Sequence, residues 1–201
     1  MENFDFTEDY ILEDERVLLR PLHVSDFDNL WSFSIDEPTL WKYSLQPADG
    51  EENLRKYIAT AINNRNNKTE YPFIVFDKHT QQYAGCTRFY DIQLNNQALQ
   101  LGYTWYGKDF QGTGLNKHCK FLLLQFAFEN MKMERVEFRA DNNNERSIAA
   151  MKSIGCTIEG VLRQHVPLAN GTRRDSIILS ILKDEWNENV KTNLLKAIKN
   201  T

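Results

Sequence analysis

The chain has 201 residues, 41% hydrophobic and 26% charged, a balance suited to one well-packed domain and too apolar for a disordered polymer. A net charge of -4 argues against a nucleic-acid surface, which needs a clustered basic face. The acidic start, MENFDFTEDYILEDER, lacks the basic and apolar parts of a secretory leader, and no apolar run approaches the roughly 20 residues of a membrane span. The expectation is a cytoplasmic protein with no membrane and no nucleic-acid partner.

Arg16 to Leu22, RVLLRPL, alternates as a strand, and VSDFDNLWSFSI follows with Ser25 or Asp26 placed to cap a helix. Leu54, Tyr57, Ile58, Ala61 and Ile62 share one face of a second helix, which the polar run NNRNNKTE stops. Tyr71 to Asp77 and Gln82 to Ile92 read as strands around the turn KHTQ, and QALQLGYTWY is a third after LNNQ. These predict an antiparallel meander.

Leu115, Cys119, Leu122, Leu123, Phe126 and Ala127 form a broad apolar stripe on the next helix. The strand Glu134 to Ala140 is reached through that helix as a crossover, and so is expected parallel to the strand before it. A short helix near Glu145 to Ile154 ends at Gly155, suited to a left-handed cap. The strands TIEGVLRQH and DSIILSIL follow, joined by the turn LANGT, and KDEWNENVKTNLLKAIKN closes the chain as a helical tail.

Cys86, Cys119 and Cys156, like His23, His79, His118 and His165, lie far apart without metal-like spacing, so reduced buried thiols and no metal are expected. One turn is different. Gln111-Gly112-Thr113-Gly114-Leu115-Asn116 joins a strand to a long helix, and its two glycines let backbone approach a ligand closely beside the free amides of the helix start. It lacks the Gly-Lys-Ser/Thr ending of a Walker loop and the third glycine of a dinucleotide fingerprint.

In this setting the turn resembles the acyl-CoA pyrophosphate loop, Gln/Arg-x-x-Gly-x-Gly/Ala, of the GNAT N-acetyltransferases. The segment NNERSIAAMKSIGCTIEGVLRQHVPLANGTRRDSIILSILKDEW looks like the RimJ/RimL-type branch, and the resemblance runs from about Tyr10 to Trp186. It implies a single α/β (α+β) domain over residues 1–201, core about 10–186 and tail 184–200, with a mixed, mostly antiparallel sheet, a splayed parallel strand pair and flanking helices. It implies acetyl-CoA as co-substrate, a primary amine as acceptor and room for a homodimer.

The resemblance also implies residue roles. Acetyl-CoA would meet Tyr103, Thr104 and Trp105 on the splayed strand, the loop Gln111, Gly112, Thr113, Gly114, Leu115 and Asn116, and Asn144 and Ser147 on the following helix. Asn116 departs from the family's Gly/Ala. Ser147 would serve the departing thiolate, with an exposed helix position as its alternative, and Asn144 would bind pantetheine, cap its helix, or both. Gln100 stands where the branch often has a glutamate base and cannot itself take a proton, so Asp175 and His118 are candidate substitutes. Their alternatives are an Arg-Asp surface pair and a solvent-facing helix residue. Trp41, Tyr43 and Arg88 match the acceptor site, or are core aromatics and an ion-pair partner. The rival reading is a GNAT-like module that binds acyl-CoA without turnover.

Overall fold

Central strands rich in β-branched and aromatic residues, flanked by helices with one apolar face, build an eight-stranded sheet in a computed structural model that describes residues 4–168 and 171–199. The strands are β1 (Leu12–Glu13), β2 (Val17–Pro21), β3 (Glu70–Asp77), β4 (Gln82–Gln93), β5 (Ala98–Tyr106), β6 (Arg135–Asp141), β7 (Thr157–Pro167) and β8 (Arg173–Leu182). Their order is β1-β2-β3-β4-β5-β6-β8-β7. Every neighbouring pair is antiparallel except β5 and β6, which run parallel as the crossover predicted. The two-residue β1 is an edge addition that the sequence did not reveal, and Ala169 and Asn170 of the LANGT turn, with Asn200 of the tail, lie outside the described residues.

Two layers of helix cover the sheet. Arg88 and Thr87 are adjacent on β4 and therefore face opposite sides. The Arg88 guanidinium lies 4.7 Å from the Tyr57 ring of α2 (Gly50–Asn66), while Thr87 leads through Thr104 to Lys120 of α3 (Leu115–Gln125). Thus α1 (Phe27–Asp36) and α2 cover one face and α3 the other. The tail, α5 (Lys183–Glu185), a wide turn Trp186–Val190 and α6 (Lys191–Lys199), packs on α3, with Trp186 fully buried against Phe121 and Phe128. Asp26 holds the N-cap position of α1, as expected, but its side chain does not cap the helix: it accepts from the His23 amide and both terminal nitrogens of Arg20. Gly155, after α4 (Glu145–Ser153), has φ +99°, the left-handed cap anticipated.

Two departures from a regular sheet create a cleft. First, β5 pairs with β6 only from Ala98↔Arg135 to Gln100↔Glu137, after which the strands part. Second, β5 bulges against β4: Cys86 faces Trp105 and Arg88 faces Gly102, so Thr87 opposes both Tyr103 and Thr104. Tyr103 sits at φ 49°, costly for a bulky residue and held by an edge contact with Tyr90 at 5.0 Å and by Arg88 4.2 Å from its ring.

Just beyond the bulge the backbones of β4 and β5 approach so closely that any side chain at Gly85, φ +151°, would collide with the Trp105 carbonyl oxygen. Gly85→Ala is therefore expected to lower stability by about 3 kcal/mol, read as a reduced urea midpoint. An unchanged midpoint would contradict the close strand approach.

Candidate active site

The parted strands open a cleft of about 1280 Å³, running from the turn before α3, past β5, β6 and α4, to the segment after α1 and the start of β8. At one end lies the glycine turn. Gly112 and Gly114 adopt φ +77° and +90°, conformations that glycine takes without steric cost, and Leu115 is fully buried beneath them. Gln111 anchors the turn by donating Nε2 to the Tyr106 carbonyl at 2.7 Å and accepting from Arg146 of α4. The Thr113 hydroxyl donates to the Phe110 carbonyl at 2.9 Å.

The backbone amides of residues 112 to 116 donate to no protein acceptor among the described residues, and they sit at the N-terminus of the 11-residue α3. Such a row of free donors, with about half a positive charge from the helix dipole, fits an anion. Asn116 lines the cleft and makes no side-chain cap, so its departure from Gly/Ala leaves the backbone donors free.

In the middle of the cleft the unpaired edges of residues 101–106 and 138–141 face the gap. Lys120 rises between them from α3. It is only 5% exposed, donates Nζ to the Thr104 hydroxyl at 2.7 Å, and has no carboxylate partner among the described residues; burial holds its pKa down to about 8. Ser147 also lines the cleft, with an amide capped by Asn144 Oδ1 at 3.1 Å. Asn144 is thus a helix cap at the cleft edge.

Gln100 is buried, and its Nε2 donates to Asp91 Oδ2 at 2.8 Å. A carboxylate can only accept, which fixes the amide nitrogen toward Asp91 and leaves Gln100 Oε1 as a buried acceptor without a partner. Asp91 itself occupies a left-handed backbone position, φ 47°, where β4 and β5 lose register, and it lines the cleft. Nothing in the sequence marks this bulge.

The candidates for the acceptor end fare unequally. Trp41 is a buried wall, 6% exposed, packed edge-on to Trp105 at 4.9 Å, with an Nε1 that finds no partner. Tyr43 reaches across to the Asn143 carbonyl at 3.3 Å. Arg88 is not at the cleft surface. It is fully buried, paired to Glu70 at 2.7 Å, and stacked between Tyr57 and Tyr103, so it supports the bulge that the cleft needs.

Both substitute bases leave the site. Asp175 points away from Arg174 and Ser176 by strand alternation, and its carboxylate accepts from the Gln164 amide at 2.7 Å, steadying the irregularity between Leu162 and Val166 in β7. His118 is neither solvent-facing nor in the cleft: it is buried with Nδ1 2.7 Å from Asp14 Oδ2. Asp14, Glu15 and His118 bring their polar atoms within 4.8 Å of one another, the one such cluster among the described residues. The three cysteines are buried and unbridged, and burial pushes Cys119 and Cys156 up to about 12.

Lys120, Asp91, Arg139 and Arg174 were not singled out from the sequence. Lys120 alone carried a signal, since it shares the inward stripe of α3 with Leu123 and Ala127 at helical spacing.

A parallel pair parting beside a helix N-terminus with free amides, on a mixed sheet of this order, defines the fold of the acetyl-CoA-dependent acyltransferases. The family described as Acetyltransferase (GNAT) domain matches residues 16–157, and the chain belongs to it. A structure from T. thermophilus, provisionally described as an acetyltransferase, aligns with a TM-score of 0.85 and 30% identity over 98% of this chain and 99% of that one. YdaF of Bacillus subtilis (strain 168), provisionally named a ribosomal N-acetyltransferase, is 32% identical over 103 residues, 51% of this chain and 55% of its own length. A RimL structure, described as a ribosomal L7/L12 alpha-N-protein acetyltransferase in complex with coenzyme A, shares the fold at a TM-score of 0.75 and 22% identity over 88% of this chain and 99% of that one. No described helix is long and apolar enough to cross a membrane.

An unpaired ammonium inside a protein opposes folding, and this gives Lys120 a measurable signature. Its folded pKa lies below the ordinary lysine value of 10.5, so the unfolded chain binds the proton more tightly; the cost is complete below about pH 8 and disappears as pH rises toward 10.5. Lys120→Met should therefore stabilise the protein by about 1–3 kcal/mol at pH 7 in urea melts, with the gain shrinking toward pH 10. A Met variant less stable than the parent at pH 7 would contradict the burial of an unpaired charge.

Proposed function

We propose that the protein transfers an acetyl group from acetyl-CoA to a primary amine by direct attack in a ternary complex, the acceptor being a protein N-terminus or a small-molecule amine. The observation that carries this reading is the row of backbone donors from residue 112 to 116 with no protein acceptor among the described residues, opening onto the gap between β5 and β6. The alpha-N-protein description of RimL favours an N-terminal amine, the ribosomal N-acetyltransferase name of YdaF is compatible with it, and the coenzyme A of the RimL structure favours the donor.

Each stretch of the cleft has a task in this reading. The amides of residues 112 to 116 hold the pyrophosphate, and the freed edges of residues 101–106 and 138–141 hydrogen-bond the amide-bearing pantetheine arm. Amides in the bulge at Tyr103, Thr104 and Trp105 polarise the thioester carbonyl. No metal is needed for these steps.

The acceptor arrives protonated, since an α-amine has a pKa of about 8 and a lysine amine about 10.4. Gln100 Oε1 accepts a hydrogen bond from the amine and orients its lone pair, while Asp91, locked to the same amide, takes up the released proton through water. For the departing thiolate the cleft offers the Ser147 hydroxyl and the Lys120 ammonium. A lysine pKa of about 8 suits proton donation near neutrality.

Gly112 has open space where a side chain would begin but sits at φ +77°, so replacing it burdens the loop's backbone and the ligand's approach rather than core packing. Gly112→Val is expected to weaken acetyl-CoA binding at least tenfold by calorimetry while the cooperative thermal transition remains; unchanged affinity would remove the loop from the binding site. Gln100→Glu sets a second carboxylate against Asp91, so the pair shares a proton and the pH–rate profile should move to higher pH; an unmoved profile would mean that Gln100 and Asp91 do not handle the acceptor's proton.

The second reading, an acyl-CoA-binding module without turnover, is favoured only by the missing carboxylate at Gln100. Thiol release measured with a panel of amines separates the two. Turnover on any amine ends the second reading, and tight acetyl-CoA binding with no thiol release on any member ends the first.

A further inference from the structure

The acceptor end of the cleft is unbalanced in its hydrogen-bonding groups. Arg174, the second residue of β8, is 8% exposed and lines the cleft, yet among the described residues no carboxylate lies within ion-pairing distance of it. Its guanidinium meets neutral acceptors: Nε donates to the Ser176 hydroxyl at 3.1 Å and Nη1 to the Tyr43 carbonyl at 3.5 Å. Arg139 of β6 gives Nε to Glu137 at 2.6 Å, and its terminal nitrogens have no partner among the described residues. Tyr90 and Tyr103, in edge contact with each other, line the same cleft, and their hydroxyls have no hydrogen-bond acceptor among the described residues.

These donors belong to one place. Arg139, Arg174, Tyr90, Tyr103 and His165 all line the cleft, and His165 Nδ1 lies 3.0 Å from the same Ser176 hydroxyl that Arg174 uses. The acidic groups nearby compensate them only in part. Glu137 is shared between Arg135 and Arg139, and Asp141 accepts the Asn143 amide at 2.9 Å without pairing to Arg174. Burial leaves the Arg174 pKa lower than usual, as expected for a cation lacking a full counter-charge. The acceptors sit on β5 and β4 instead: Gln100 Oε1, which has no partner among the described residues, and the Asp91 carboxylate, an anion met only by the neutral side-chain amides of Gln100 and Gln93.

A cleft with acceptors in one place and cationic donors in another fits a ligand that carries an amine and, a few bonds away, a planar anion. Arginine terminal nitrogens match a carboxylate in a fork-to-fork arrangement. We propose that the acceptor is an amino acid or N-terminal peptide whose carboxylate, either the α-carboxylate or an acidic side chain at the second residue, is bound by Arg174 and Arg139 with help from Tyr90 and Tyr103. This rests on the acetyl-transfer reading for the identity of the reactive amine, and on the geometry of β6 and β8 for the anion.

Two acceptor pairs test it, alanine against alaninamide and the amidated tripeptides Ala-Asp-Ala against Ala-Asn-Ala, each compared at equal free-amine concentration. In at least one pair the carboxylate member should have a kcat/KM about tenfold higher or more, the size of one charge-assisted contact. Arg174→Gln and Arg139→Gln should each shrink that ratio severalfold, and Arg174→Lys should restore part of it. A preference confined to the alanine pair assigns the α-carboxylate, and one confined to the tripeptides assigns the side chain.

Calorimetric binding of the four acetylated products to coenzyme A-saturated protein gives the same comparison without turnover. If no amine is acetylated, the transfer reading fails, while product binding still decides the carboxylate. Equal affinity and equal kcat/KM within both pairs, or a ratio that neither arginine substitution moves, would overturn the proposal.

Discussion

The cleft exists because β5 cannot follow β6 beyond Gln100, and what turns it aside is the kink at Tyr103. Backbone edges left unpaired inside a protein are costly, so two neighbouring strands close up unless something holds them apart. Here the restraint is the fully buried Arg88, tied to Glu70 and stacked between the rings of Tyr57 and Tyr103. Gly85 lets β4 meet β5 closely just past the bulge, so the distortion is local and the meander from β2 to β5 stays intact. Arg88 Nε and Nη2 remain without partners, which places part of the cost of the bulge in one residue.

The same trade recurs along the cleft. Free amides from 112 to 116, a nearly unpaired Lys120, the orphan Gln100 Oε1 and the under-matched Arg174 each oppose folding when considered alone. Together they form a graded surface, with donors for an anion at one end, a cation in the middle, and acceptors and arginines where an amine would enter. A core built from Phe73, Phe89, Phe138 and Trp186, all buried, supplies the stability against which these groups are tolerated.

Much of this was legible in the sequence because it follows local periodicity. The stripe on α3, the alternation of β3 to β5, the crossover to β6 and the Gly155 cap are decided within a few residues, and the structure has them. The glycine turn was legible for the same reason. The acceptor end was not, since it depends on register. Bulges in β4, β5 and β7 change which side chains share a face, so Asp91 enters the cleft and Asp175 leaves it. His118 fits neither expectation, a base in the cleft or a solvent-facing residue, because its partner Asp14 is far away in sequence. Arg88 was undecided between ligand and ion pair for want of one long-range partner, Glu70.

The account stands on the amides of residues 112 to 116 receiving the pyrophosphate of acetyl-CoA. Amide hydrogen exchange and nitrogen chemical shifts, followed residue by residue during titration with coenzyme A, report on them directly. The account predicts the largest shifts and new protection at residues 112 to 116, with smaller changes along residues 101 to 106. Binding that leaves those amides unshifted and unprotected would contradict it.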